Sequence, residues 1–195
     1  MKKLLLIAVA ASVLLAPMHA QAFDGAKKGF ILGLGAGYGS AKQTVSVGSG
    51  SASATNGGVA TVFKIGAGIN DQFLLYYSNR VVFFSADTMD PYSEAVTSSS
   101  FMQGMSALAG SYYLTPEGPS AFVTGELGVG VLTDSDAGQS DSGFGFGLGA
   151  GYDFGNHFVL EAGYQRASVG SESIGSITVD TSISNFSITA SWLGF

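Results

Sequence analysis

From Gly143 to Phe154 the chain alternates small and bulky residues, so that Phe144, Phe146, Leu148, Ala150, Tyr152 and Phe154 share one parity while glycines and Asp153 occupy the other. Successive side chains of a strand point to opposite faces of its sheet. The run therefore predicts a strand with one apolar face and one glycine face. The same device recurs from Phe30 to Gly39. Extended along the chain, the pattern predicts eight strands at Gly29 to Ser40, Gly58 to Asn70, Gln72 to Phe84, Ser100 to Leu114, Ser120 to Leu132, Gly143 to Phe154, Phe158 to Arg166 and Ile177 to Trp192. Each is long enough for the roughly 9 to 11 tilted residues that cross a bilayer.

The connections alternate in length. Asn70-Asp71-Gln72, Thr115 to Pro119 and Gly155-Asn156-His157 read as tight turns, whereas Ala41 to Gly57, Ser85 to Ser99, Thr133 to Ser142 and Ala167 to Ser176 read as long polar loops. Short turns on one rim and long loops on the other describe an all-β, eight-stranded, antiparallel up-and-down transmembrane β-barrel. An even strand count brings both chain ends to the short-turn rim. The stretch from Ile65 to Tyr76 echoes that from Leu148 to Glu161, each a strand, turn and strand with a Gly-Ala-Gly approach and a Phe-x-Leu departure. Hairpin duplication and two solutions to one constraint both account for it, and shared barrel composition favours the second.

The few charges decide which face meets lipid. Lys64, Arg80, Glu126 and Glu161 all fall on the parity opposite the bulky apolar residues. A Lys or Arg facing lipid at mid-plane costs about 2 to 4 kcal/mol, so this face points inward. The four lie at similar heights above the short turns, which predicts one interior network of two cations and two carboxylates. Inward glycines of the first and sixth strands leave room for it. Unfilled, they would leave a narrow aqueous lumen and a path for ions. The soluble alternative puts the apolar face around a pocket and the glycine face in water. It fails on charge: 11% of residues are charged, against roughly a quarter in soluble domains.

Two places break the pattern. Asn79 shares the lipid-facing parity, which predicts a bulge around Ser78 to Arg80 or a site near the outer rim. In the fourth strand Phe101, Met105 and Tyr113 oppose Met102, Leu108 and Tyr112, so its facing is unassigned.

Residues 1–22 carry Lys2 and Lys3, an apolar run from Leu4 to Ala16 and Ala20-Gln21-Ala22, the form of a cleaved signal peptide. Export is expected, with the barrel occupying residues 23–195. Cysteine is absent, so disulfides and thiolate metal sites are excluded. Removing Lys2 and Lys3 leaves six basic residues against fourteen acidic ones, a balance that makes nucleic acid an unsuitable partner.

With the glycine-rich opening strand, the segment Phe158-Val159-Leu160-Glu161-Ala162-Gly163-Tyr164 and the final Phe195 on the page, the chain resembles the small eight-stranded outer-membrane barrels, the broad family that includes OmpX and the barrel half of OmpA. The resemblance covers essentially the whole exported chain and is specific for architecture. It implies residence in the outer membrane of a Gram-negative bacterium and contact with outer-membrane lipids. It also implies insertion by the barrel-assembly machinery, which reads a terminal strand ending in an aromatic residue, here Trp192 and Phe195. Counting back by twos from Phe195 meets Leu193, Ser191 and Thr189, whereas the apolar parity is Phe186, Ile188, Ala190 and Trp192. A one-residue slip at Leu193-Gly194 would reconcile them, with Trp192 in the interfacial aromatic girdle.

No catalytic, cofactor-binding or metal-binding set is expected. The glycine runs carry no following Gly-Lys-Ser/Thr, and His157, the single histidine beyond the leader, falls in a tight turn. Asp134, Asp136 and Asp141 lack the glycine and distal glutamate of a calcium loop. The expected role is a non-enzymatic barrel for surface interaction or envelope integrity, its extracellular ligand unspecified. The alternatives are a narrow pore for ions or very small solutes and a lipid-modifying barrel enzyme.

Overall fold

In the computed structural model, which describes residues 27–89, 96–174 and 177–195, period-two alternation becomes a closed barrel of eight antiparallel strands in sequence order. They are β1 (Gly29–Val47), β2 (Gly50–Gly68), β3 (Phe73–Met89), β4 (Val96–Tyr113), β5 (Ser120–Asp134), β6 (Gln139–Asp153), β7 (Phe158–Ile174) and β8 (Ile177–Gly194). Residues 1–22, read above as a signal peptide, lie outside the described residues.

The bulky apolar parity points out. Phe144 is 70% exposed, Leu148 63% and Leu127 61%, an apolar belt far larger than a water-soluble monomer exposes. Lipid is the solvent that accepts it. The short-turn rim is made of local caps. Asn70 Oδ1 accepts from Gln72 N and Phe73 N at 2.9 and 2.8 Å, and Asp153 Oδ1 accepts from Gly155 N at 2.8 Å.

The long polar loops are the first correction. Residues 41–57 are mostly ladder: β1 and β2 stay paired to Val47 and Gly50, leaving Gly48 and Ser49 as a two-residue turn. Gly48 has φ 57, the positive first position that such a turn demands. The β5–β6 pairing likewise runs to Asp134 and Gln139, and β3–β4 to Met89 and Val96, with residues 90–95 outside the described set. β7 and β8 pair up to Ile174 and Ile177. Beyond the lipid a strand needs no apolar outward face, so pairing continues where the sequence signal stops.

Not every ladder continues. β2 pairs with β3 only from Val59–Phe83 to Gly68–Leu74, and β6 with β7 only from Gly145–Ala167 to Asp153–Val159. Past the apolar belt the wall thus divides into two four-stranded blades, β7-β8-β1-β2 and β3-β4-β5-β6. The two dividing hairpins are the pair whose sequences echo one another.

Two further expectations are corrected, and the facing of the fourth strand is assigned. No bulge lies at Ser78 to Arg80, where the β2–β3 and β3–β4 registers run unbroken; Asn79 stays on the outer face and its amide donates to Ser106 Oγ at 2.8 Å. The one register shift is in β7, between Ser168 and Gly170. β4 turns Gln103, Met105, Ala107, Ala109, Ser111 and Tyr113 inward. Its parity is mute because Met105, Ala107, Ala109 and Tyr113 among them are apolar and help fill the lumen. Finally, no slip occurs at Leu193-Gly194, whose pairing with β1 is regular. Trp192 points out, while Leu193 and Phe195 point in and pack with Tyr113 and Phe122. The terminal phenylalanine follows the inward parity because the mouth it enters is lined by aromatic rings.

Candidate functional site

At mid-height the lumen is crossed by side chains from four strands. β2 supplies Lys64, β3 Arg80 and Ser78, β5 Glu126, and β7 Glu161 and Gln165, all nearly inaccessible. Glu161 sits at the centre. Its Oε2 takes Lys64 Nζ at 2.5 Å and its Oε1 takes Arg80 Nη2 at 2.5 Å. Arg80 Nη2 also lies 3.7 Å from Glu126 Oε1, and Arg80 Nη1 donates to Ser187 Oγ at 3.2 Å. Glu126 is completed by Gln165 Nε2 at 2.9 Å and Ser78 Oγ at 3.4 Å. Lys64 Nζ lies 5.2 Å from the centre of the Tyr76 ring, close enough for a cation–π contact. The structure therefore joins Glu161 to both Lys64 and Arg80, and joins Glu126 to Arg80 rather than to Lys64, a partition that depends on stagger between strands that are not neighbours.

Glycines make the room. A Cβ on Gly147 would stand 2.9 Å from Glu126 Oε2, one on Gly149 2.9 Å from Glu161 Oε1, and one on Gly163 2.6 Å from Arg80 Nη1. The glycine face of β6 and β7 is thus the negative image of the ionised heads. Buried charges persist only where paired and hydrogen-bonded, and this packing holds each carboxylate against its cation.

The network is closed above and below. Toward the short turns, Tyr113 and Phe122 stack with ring centres 5.0 Å apart, joined by Ile31, Leu74, Leu193 and Phe195. Under this plug Lys27 Nζ donates to the Pro116 and Gly118 carbonyls, both at 3.2 Å, and lies 5.0 Å from the Tyr113 ring centre. Strand periodicity gave no sign of this lysine, which precedes β1. On the other side Gln103 spans the lumen, its Nε2 donating to Asn185 Oδ1 at 2.6 Å and to the Ser184 carbonyl at 3.2 Å. Beyond it Ala41, Ala60, Val82 and Phe84 pack with Phe101.

Other candidate chemistry is absorbed locally. His157 sits in the β6–β7 turn with φ 64, its Nδ1 3.1 Å from the Leu193 carbonyl. Asp134 Oδ1 accepts from Asp136 N and Ala137 N at 3.0 Å each, and Asp136 Oδ2 accepts from Ser100 N at 2.8 Å. Asp134 thus caps its own turn and Asp136 ties that turn to β4, and no group of three potential metal ligands occurs among the described residues.

A family model described as the outer membrane protein beta-barrel domain matches residues 8–193. Among solved structures the chain is similar to Neisserial surface protein A, at 15% identity over 84% of this chain and 96% of that one, with a TM-score of 0.49. It is also similar to OprG from Pseudomonas aeruginosa, at 13% identity over 87% and 98%, TM-score 0.49. A third likeness is to Ail of Yersinia pestis in complex with the heparin analogue sucrose octasulfate, at 13% identity over 81% and 98%, TM-score 0.42. No curated protein matches the sequence.

Proposed function

The chain belongs to the outer-membrane protein β-barrel family, whose seat is the Gram-negative outer membrane, and from that premise we propose that it is a non-enzymatic barrel that presents two outer blades at the cell surface while its lumen carries no solute. The carrying observation is the stacked closure of the lumen. An aromatic plug, a fully paired charge layer, the Gln103–Asn185 bridge and an apolar lid follow one another along the axis. The ionised heads of the charge layer are engaged with each other, which makes them structural rather than chemically available. Outward, the blades offer Ser-, Thr- and Gly-rich surface on a rigid base, the usual arrangement for contact with an outside partner. Residues 1–22 direct export and are cleaved in this reading. Membrane lipids and the barrel-assembly machinery are its partners, and Trp192 and Phe195 belong to the segment the machinery reads.

Planar-bilayer recording of purified protein tests it. Wild type, verified as folded by its shifted migration on unheated gels, is expected to be electrically silent. Tyr113→Ala with Phe122→Ala, which strips the plug, is expected to remain silent while the charge layer holds. Steady wild-type channels would overturn the closed-lumen reading in favour of a narrow ion pore. A mass change in lipopolysaccharide or phospholipid after incubation with the protein would overturn the non-enzymatic one.

A further inference from the structure

The described residues contain six cations: Lys64 and Arg80 lie in the charge layer, Lys27 lies under the plug, and Lys28 is exposed just before β1. The other two, Lys42 and Arg166, are exposed on the outer face in one register row. Lys42 of β1 pairs with Ser184 of β8, and Ser184 pairs with Arg166 of β7. Two cations thus flank one serine on three adjacent strands, their backbones about 10 Å apart across two strand spacings. Strand tilt offsets their heights by roughly 6 Å, within reach of two long side chains.

The row lies at the edge of the apolar belt. Toward the membrane the same face carries Tyr38 on β1, Tyr164 on β7 and Phe186 on β8, exposed by 66, 39 and 50%. Outward it carries only Thr44, Ser46, Ser168 and Ser182 before Asp180. Tyrosines at a belt edge mark the headgroup level. Neither cation has an ion-pair partner within the described protein, and Asp180 stands four residues beyond Ser184, roughly 13 Å along the strand. Arg166 also lines a surface depression of about 570 Å³ with Phe144, Phe146, Ser168, Asp180 and Ser182, at the point where the β6–β7 ladder ends. The backbone beneath is held from inside, for Gln103 Nε2 donates to the carbonyls of Lys42 and Ser184 at 3.4 and 3.2 Å.

We infer that Lys42, Ser184 and Arg166 form a site for the phosphate-bearing headgroup of a lipid in the outer leaflet, with its acyl chains lying over Tyr38, Tyr164 and Phe186. A guanidinium offers paired donors to phosphate oxygens and an ammonium a point charge. On a chain of net charge −6, which repels anions in general, two unpaired cations at headgroup depth favour a phosphate fixed in that plane over one free in solution.

Native mass spectrometry of the folded, full-length exported chain with lipid A as probe tests the site. Wild type should retain lipid A, and Lys42→Ala with Arg166→Ala should reduce its occupancy about tenfold, with folding verified by unheated-gel migration. Lys42→Arg with Arg166→Lys should retain it. Equal retention by wild type and the alanine pair would overturn the site, as would equal retention of lipid A stripped of its phosphates. Displacement of lipid A by inorganic phosphate alone would overturn the lipid as occupant, and undiminished retention in its presence supports it.

Discussion

Through most of the apolar belt all eight ladders are hydrogen-bonded and the cylinder is closed, whereas from its outer edge, at Val59–Phe83 and Gly145–Ala167, the β2–β3 and β6–β7 pairings stop and the same strands continue as two separate blades. Hydrocarbon offers no partner to a free N–H or carbonyl, so closure is compulsory there. Water satisfies an open edge, so above the belt closure is optional. The lumen follows the same division. Where lipid encloses the wall, the interior is crossed by an ion network whose charges are paired, because a buried unpaired charge is costly.

The sharpest way to break the enclosed half is to remove Glu161. Its two oxygens hold Lys64 and Arg80 separately, so Glu161→Ala leaves two buried cations competing for what remains. The expected loss is about 3 to 5 kcal/mol, read from urea unfolding in lipid vesicles. An unchanged unfolding midpoint would show that the network does not hold the barrel. Next in size is the outer surface at the same depth. Leu127→Lys places an ammonium on the lipid face and should cost about 2 to 4 kcal/mol, and a loss near zero would mean that this face meets water.

Glu126→Ala should cost less, about 1 to 3 kcal/mol, because Arg80 keeps Glu161 and Ser187 when Glu126 is gone. A double-mutant cycle sharpens the pairing. Glu126→Ala with Arg80→Met should be strongly non-additive, and Glu126→Ala with Lys64→Met closer to additive. The reverse order would contradict the observed partition of partners.

What the sequence could say about these two halves follows from what lipid imposes. In the belt, one face must be apolar and the other must take every charge, so the parities of β2, β3, β5, β6, β7 and most of β8 could be read from residue type alone. That reading also placed Lys64, Arg80, Glu126 and Glu161 on the inward face. β4 was opaque because its inward Met105 and Tyr113 are as apolar as its outward Leu108 and Tyr112. Phe195 misled for a related reason, since an aromatic plug at the mouth uses the same residues as a lipid-facing girdle. Beyond the belt the outward face turns polar, and strands such as Lys42 to Val47 lose the alternation by which they would be recognised. The Glu161–Arg80 contact joins strands four apart in order, so the stagger of the whole barrel decides it.

The smallest effect is expected in the blades, and it completes the comparison. Ser53 of β2 lies past the last β2–β3 pair, is exposed, and stands opposite Thr44 of β1. Ser53→Lys repeats on the outer blade the change made by Leu127→Lys in the belt: one new ammonium on an outward strand position. In water that charge stays hydrated, and the expected shift in unfolding free energy is within about 0.5 kcal/mol. Hydrogen exchange gives the same contrast without mutation. Amides of Val62 to Gly66, enclosed between two ladders in the belt, should exchange far more slowly than those of Gly50 to Gly57, which have a partner strand on one side alone. If Ser53→Lys cost as much as Leu127→Lys, or if both stretches of β2 exchanged alike, the boundary between compulsory and optional closure would lie elsewhere than at Val59 and Phe83.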